Sequence, residues 1–126
     1  MKSAQLIVIA ILVAVCGDNT LGGDKPLGLS YQQAPKIIKV SAERFAFSPS
    51  EITIEKGTVI EFHLTSEDTD HGFRIIGTSV DVAIPKRRRG VTVVTYTADT
   101  AGRFVIECSR PCGAGHTAMR ATLIVK

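Results

Sequence analysis

The sequence predicts an all-β protein with a β-sandwich fold. Between Ile37 and Val125, short segments rich in Val, Ile, Thr and Phe alternate with Gly, Pro, Ser and Asp turns, which is typical of sandwiches. The clearest segment, Thr58–Ser66, alternates apolar and polar residues with the period of a half-buried strand. A length of 126 residues and a hydrophobic fraction of 44% allow one compact domain.

Residues 1–16 have the layout of an export signal. Lys2 precedes an apolar run that ends at Val15, and the chain turns polar after Cys16. Counted from Ala4, the run would form a helix of about 18 Å, shorter than a bilayer core of about 30 Å, so a stable membrane span is disfavoured. The run also resembles a bacterial lipoprotein signal with Cys16 as the lipidation site, and cleavage after Cys16 is the alternative. Either signal predicts an exported domain on the periplasmic or extracytoplasmic face, and lipidation would anchor it to the membrane.

Residues 17–35 are predicted to be a flexible linker, and residues 36–126 the folded domain. From Asp18 to Ala34 the chain is rich in Gly, Pro, Ser, Gln and Asn and lacks apolar periodicity. The predicted strands are, in order, Ile37–Ala42, Ile52–Glu55, Thr58–Ser66, Gly72–Ile76, Val80–Ile84, Val91–Tyr96, Arg103–Cys108 and Arg120–Val125.

The alternation within Thr58–Ser66 predicts which of its side chains face the core. The apolar residues at alternate positions from Ile60 to Leu64 share one face, whereas His63 shares the opposite face with Glu61. We therefore predict that His63 is a solvent-facing strand residue and not a ligand.

Four consecutive basic residues, Lys86 to Arg89, separate two of the predicted strands. Such a run can indicate an anionic partner such as nucleic acid. The net charge of the whole chain is only +3, too small for a dedicated nucleic-acid-binding protein. The simpler prediction is a solvated hairpin tip, with no nucleic-acid partner.

The segment from Glu107 to Met119 contains the candidate ligands of the chain. It places two thiols, Cys108 and Cys112, near the imidazole of His116 and the thioether of Met119, a ligand set that points to copper rather than to magnesium or calcium. One proline and two glycines between them predict a loop rather than a helix. A disulfide between the two cysteines is the alternative, but such a small ring would contribute little loop entropy. A mononuclear blue-copper site needs only one cysteine, so the second thiolate is surplus unless it bridges a second ion.

The spacing CxxxCxxxHxxM, from Cys108 to Met119, resembles the copper A (CuA) domain of cytochrome c oxidase subunit II, a cupredoxin domain also found in nitrous oxide reductase. The resemblance extends from Phe45 to Val125 and implies a cupredoxin-like Greek-key β-sandwich. It also implies a centre of two copper ions. The ligands that it implies are the bridging thiolates of Cys108 and Cys112, the imidazoles of His71 and His116, the thioether of Met119 and the backbone carbonyl of Arg110.

The resemblance further implies an electron-transfer component of a cytochrome c oxidase-type respiratory complex, with no catalysis by the isolated chain. The expected partners are a c-type cytochrome or another redox donor and a haem-copper oxidase catalytic subunit. The chain would be either a divergent subunit II or a free-standing carrier. Three alternatives use the same residues: a periplasmic copper-delivery module, a mononuclear copper cupredoxin, and a structural zinc site, against which Met119 argues.

Overall fold

A computed structural model describes residues 33–126 of the chain. These residues form nine strands and one short 3-10 helix, η1. The elements are β1 (Lys36–Glu43), β2 (Ala46–Ser48), β3 (Glu51–Ile54), β4 (Val59–Ser66), β5 (His71–Ile75), β6 (Asp81–Ile84), β7 (Thr92–Thr97), β8 (Gly102–Glu107), η1 (His116–Ala118) and β9 (Arg120–Val125).

The strands form two sheets that pack face to face. One sheet has the order β2-β1-β4-β7, and the other has the order β3-β9-β8-β5-β6. The pairs β1/β4 and β3/β9 are parallel, so the chain crosses between sheets instead of running through successive hairpins. The predicted all-β sandwich is confirmed, and each of the eight predicted strands lies within one residue of an observed strand at both ends. The short strand β2 was not predicted.

The core lies between the two sheets and follows the alternation along the strands. In β4, Ile60 and Phe62 are fully buried, whereas Glu61 and His63 are half-buried on the outer face, as the alternation predicts. Each fully buried side chain of this size contributes about 1.5–3 kcal/mol to the free energy of folding. The outer His63 ring forms a 2.6 Å contact with the Glu61 carboxylate.

Residues 85–90 correct one prediction. β6 lies at the edge of the five-stranded sheet and β7 at the edge of the four-stranded sheet, so this segment is a crossover and not a hairpin tip. The edge strands β6 and β7 are in contact: the Thr92 hydroxyl donates a 2.7 Å hydrogen bond to the Ala83 carbonyl. The four basic residues from Lys86 to Arg89 are exposed, as predicted.

The N-terminal predictions fall largely outside the structure. The signal over residues 1–16, the lipidation site Cys16 and all but the last three residues of the linker predicted over residues 17–35 precede the described region. Within residues 33–126, no helix is long and apolar enough to cross a membrane.

Candidate metal centre

Strand ends and one loop meet at one end of the sandwich and bring the predicted site residues together. His71 is the first residue of β5, and Cys108 directly follows β8. The loop that leaves Cys108 returns to it, because the Cys108 N–H donates a 3.1 Å hydrogen bond to the carbonyl of Met119. His71, Met119 and both thiols are buried.

The two thiols are free and adjacent. The Sγ atoms of Cys108 and Cys112 lie 3.6 Å apart, far beyond the S–S bond length of about 2.05 Å. The disulfide alternative is therefore not what the structure adopts. The Nδ1 atom of His71 lies 4.0 Å from the Cys108 sulfur, and Nδ1 of His116 lies 3.7 Å from the Cys112 sulfur. Each thiol thus has its own imidazole.

Two weaker donors complete the cluster. The carbonyl oxygen of Arg110 lies 3.1 Å from the Cys108 sulfur, and the Met119 sulfur lies 3.9 Å from the Cys112 sulfur. The guanidinium of Arg110 points away from the thiols and pairs with the Asp81 carboxylate at 3.1 Å. Only the main chain of Arg110 therefore takes part in the cluster.

Asp68 orients the His71 ring. Its Oδ1 atom lies 2.6 Å from Nε2 of His71, which leaves Nδ1 directed at the thiols. Its Oδ2 atom accepts a 3.0 Å hydrogen bond from the Arg44 N–H, so the carboxylate also ties in the start of the β1–β2 turn. A carboxylate on the distal nitrogen is the usual support for a metal-binding imidazole, because it fixes the tautomer and the ring plane.

The pKa of Asp68 reflects these contacts. Burial alone would raise the pKa of this carboxyl. The hydrogen bonds from His71, the Arg44 N–H and the Thr69 N–H outweigh burial and lower the pKa to about 2. Asp68 is therefore ionised at any physiological pH and provides a fixed negative charge behind His71.

Close contacts hold the ligand loop on both sides. The Gly72 N–H donates to the Cys108 sulfur at 3.3 Å. A Cβ atom at Gly72 would lie 2.3 Å from the Ser109 hydroxyl and 2.7 Å from the Ser109 nitrogen, so a larger residue at this position would force the ligand loop to shift. The Arg44 side chain donates from Nε to the Cys112 carbonyl at 2.8 Å and fixes the loop from the other side.

In the metal-free protein the Cys112 thiol is held in its protonated form. Burial raises the pKa of the Cys112 thiol to about 11, and the neighbouring Cys108 thiol acts in the same direction. A bound cation would reverse this, because thiolates are the form that ligates metals. The cluster thus has the donor atoms of a metal centre, and Cys112 keeps its proton until a cation displaces it.

The donor set fits copper. Ligand atoms of His71, Cys108 and Cys112 all lie within 4.8 Å of one another. Thiolate, imidazole and thioether together suit copper, whereas a structural zinc site would use four thiolate or imidazole ligands and leave Met119 without a function. Hard cations such as magnesium or calcium would need oxygen ligands, which the cluster offers only at the Arg110 carbonyl.

Comparison with known proteins agrees with this assignment. No protein-family model matches the chain. Over 89 residues, the chain is 36% identical to cytochrome c oxidase subunit 2 of Thermus thermophilus, a match that covers 71% of this chain and 64% of that protein. The chain is a homologue of cytochrome c oxidase subunit 2. It spans less than two thirds of the length of that relative.

Solved structures share the fold of this subunit II homologue. A heme-copper terminal oxidase dimer contains a chain with a TM-score of 0.66 and 27% identity, which covers 76% of this chain and 68% of that chain. The periplasmic domain of subunit II of cytochrome oxidase from Bradyrhizobium japonicum has a TM-score of 0.65 and 18% identity, covering 74% and 85% respectively. The cupredoxin-like fold and the resemblance to the subunit II copper domain are thus confirmed.

The structure of this chain also shows two supporting residues that the sequence analysis missed, Asp68 and Arg44. Asp68 lies three positions before His71, and this short spacing is the signal that could have identified it. Arg44 lies 68 residues from Cys112 and gave no local signal. Neither residue is itself a candidate ligand. Asp68 holds the ring of His71, and Arg44 holds the backbone of Cys112.

Proposed function

We propose that this chain is an electron-transfer protein that holds a dinuclear CuA centre. The observation that carries the proposal is the pairing of two free, buried thiols 3.6 Å apart, each beside a different imidazole. A mononuclear site would use one thiol and leave the second buried without a function. Two thiols, two imidazoles and two weak donors are a set that divides evenly between two ions.

The ligands would be the six residues predicted from the sequence. Cys108 and Cys112 would bridge the ions, His71 and His116 would each bind one through Nδ1, and Met119 and the Arg110 carbonyl would be the weak ligands. Copper would supply a one-electron couple at this position. The protein would supply a buried, preformed cage in which Asp68 and Arg44 keep the ligands in place, so that little rearranges during electron transfer.

The relationship to oxidase subunits supports a place in a respiratory complex. We infer that the domain lies on the periplasmic or extracytoplasmic side. There it would accept electrons from a c-type cytochrome or another redox donor and pass them to the catalytic subunit of a haem-copper oxidase.

The predicted lipidation of Cys16 would hold the domain at the membrane. Cys16→Ser should then release the chain from the membrane fraction, and an unchanged membrane association would contradict the anchor.

Copper stoichiometry and colour test the proposed centre. The full chain should hold two coppers and show the intense absorption of a mixed-valence thiolate centre, whereas Cys112→Ser should hold one copper or fewer because a hydroxyl is a poor bridge. His63→Gln removes an imidazole outside the site and is the matched control, expected to keep both ions. One copper at full occupancy in the wild type would exclude the dinuclear centre, and a colourless, exchangeable Cu(I) complex would indicate copper delivery instead.

A further inference from the structure

The crossover segment, residues 85–90, is a basic loop that is hydrogen-bonded directly to the loop preceding His71. The Lys86 N–H donates a 2.8 Å hydrogen bond to the Asp70 carboxylate, and the Arg87 N–H donates a 3.1 Å bond to the Asp68 carbonyl. Asp68 in turn contacts the His71 ring. Asp68 therefore links the backbone of the basic loop to His71, one of the proposed copper ligands.

The charges of the basic loop remain available to a partner. All four side chains from Lys86 to Arg89 are exposed, and none pairs with a carboxylate among residues 33–126. Arg44 is a fifth exposed cationic residue, and its N–H binds the same residue, Asp68, whose carbonyl accepts the hydrogen bond from the Arg87 N–H. The exposed carboxylates of the adjoining segments are fewer: they are Glu43, Glu67 and Asp70. Asp68 carries charge too, but its oxygens are occupied by His71 and by backbone N–H groups.

The position of Arg88 indicates that charge here is kept at a conformational cost. The turn closes with a hydrogen bond from the Arg89 N–H to the Lys86 carbonyl, and Arg88 adopts a φ of 62°. Glycine or asparagine is the usual residue in this left-handed region, and other side chains cost about 1 kcal/mol there. A bulky cation at the place best suited to glycine suggests that the turn is used for its charge.

We propose that the basic loop, together with Arg44, is the docking surface for a redox partner whose surface around its own redox centre is acidic. The inference rests on the proposed function, since it concerns how electrons reach the copper cluster. Opposite charges on two such surfaces would bring the partner to the His71 side of the cluster. Clustered charge of this kind speeds association by about 10-fold to 1,000-fold at low ionic strength. The effect fades as salt shortens the screening length to about 8 Å.

Electron-transfer kinetics with defined probes test the docking surface. The copper-loaded full chain is mixed with a reduced acidic c-type cytochrome, a reduced basic c-type cytochrome or a small neutral hydroquinone, and the second-order rate constant is measured at low and high salt. In the triple variant Arg87→Gln/Arg88→Gly/Arg89→Gln, we expect reduction by the acidic cytochrome to slow about tenfold at low salt. The rate with the hydroquinone should not change. Lys56→Gln, which removes one cation from the turn before β4 at the opposite end of the sandwich, should leave all three rates unchanged.

Arg88→Gly separates charge from structure. Glycine relieves the left-handed residue, so the thermal midpoint should stay the same or rise, while the rate with the acidic cytochrome falls a few-fold. Equal rates for the triple variant and the wild type with the acidic cytochrome would overturn the docking surface. The docking surface is also overturned if the triple variant loses only its binding to phosphatidylglycerol vesicles, because the loop would then contact lipid. Failure to bind copper or to react with the hydroquinone would instead overturn the proposed function.

Discussion

The Nε2 atom of His71 lies 2.6 Å from Oδ1 of Asp68, and this contact connects the buried imidazole to the surface loop before β5. His71 itself is fully buried, whereas the Asp68 side chain is 28% exposed. The carboxylate therefore stands between solvent and the ring and determines which ring nitrogen faces the thiols. Its contribution can be measured in two independent ways.

Asp68→Asn should weaken copper binding about 10-fold to 100-fold, because a supporting carboxylate both orients the ring and increases its basicity. The measurement is a competition titration of the full chain against a chelator of known affinity. Asp70→Asn is the control, since that carboxylate binds the Lys86 N–H and does not touch the ring. Equal copper affinity in the wild type and Asp68→Asn would show that the contact does not support the ligand.

Acid stability provides the second measurement, made on metal-free protein. The folded-state pKa of Asp68 is about 2, below the ordinary value of 3.8, so the ionised carboxylate stabilises the fold above about pH 4. This contribution, about 2 kcal/mol, should be lost as the pH falls from about 4 to about 2. In urea unfolding, the gap in stability between wild type and Asp68→Asn should therefore close over that interval. A gap that stays constant would mean that the pKa is not lowered.

The sequence predicted most of this fold because one buried face imposes a two-residue period on each long strand, as in β4. β2 has only three residues, with Phe47 alone buried, which is too short to display a period. The hairpin expected over residues 85–90 was wrong because consecutive strands need not belong to one sheet. No local sequence pattern indicates which sheet a strand joins. Five of the six candidate ligands lie in the compact motif from Cys108 to Met119, so the family resemblance that this motif carries was enough to predict them.

The supporting shell was harder to predict than the ligand motif. The Arg44 side chain reaches the Cys112 carbonyl only because the β1–β2 turn folds over the ligand loop. Such a contact depends on topology and not on a sequence pattern. The same holds for the basic loop, whose position beside His71 follows from hydrogen bonds between two loops.

Copper loading should release protons and should strengthen as the pH rises. The pKa of Cys112 is raised to about 11, so this thiol is protonated in the metal-free protein at neutral pH and must lose its proton to ligate. Its deprotonation alone should raise the apparent copper affinity about tenfold per pH unit below the pKa. Proton release is measured by pH-stat titration with Cu(I), and Cys112→Ser should release fewer protons per chain. Identical release in the two proteins would show that Cys112 does not ligate as a thiolate.

Gly72→Ala should displace the ligand loop without any change to a ligand. The added Cβ would meet the Ser109 hydroxyl at 2.3 Å, the Ser109 nitrogen at 2.7 Å and the Arg110 nitrogen at 2.8 Å, and two of these three atoms belong to the backbone. Overpacking of this kind typically costs about 1–3 kcal/mol. It would also lengthen the hydrogen bond from the Gly72 N–H to the Cys108 sulfur. We therefore expect a lower unfolding midpoint for the metal-free variant and a changed absorption spectrum for the copper-loaded one.

The double variant Gly72→Ala/Ser109→Ala tests whether backbone crowding is the cause. Removal of the Ser109 hydroxyl relieves the shortest contact but leaves both backbone nitrogens in place, so stability and spectrum should recover only in part. Ser109→Ala alone is the control for the lost hydrogen bond to Asp81. Full recovery in the double variant would mean that the clash with the Ser109 side chain alone causes the changes seen in Gly72→Ala. A wild-type spectrum in Gly72→Ala itself would mean that the loop can shift without moving the thiols, and that the close approach at Gly72 does not position the copper ligands.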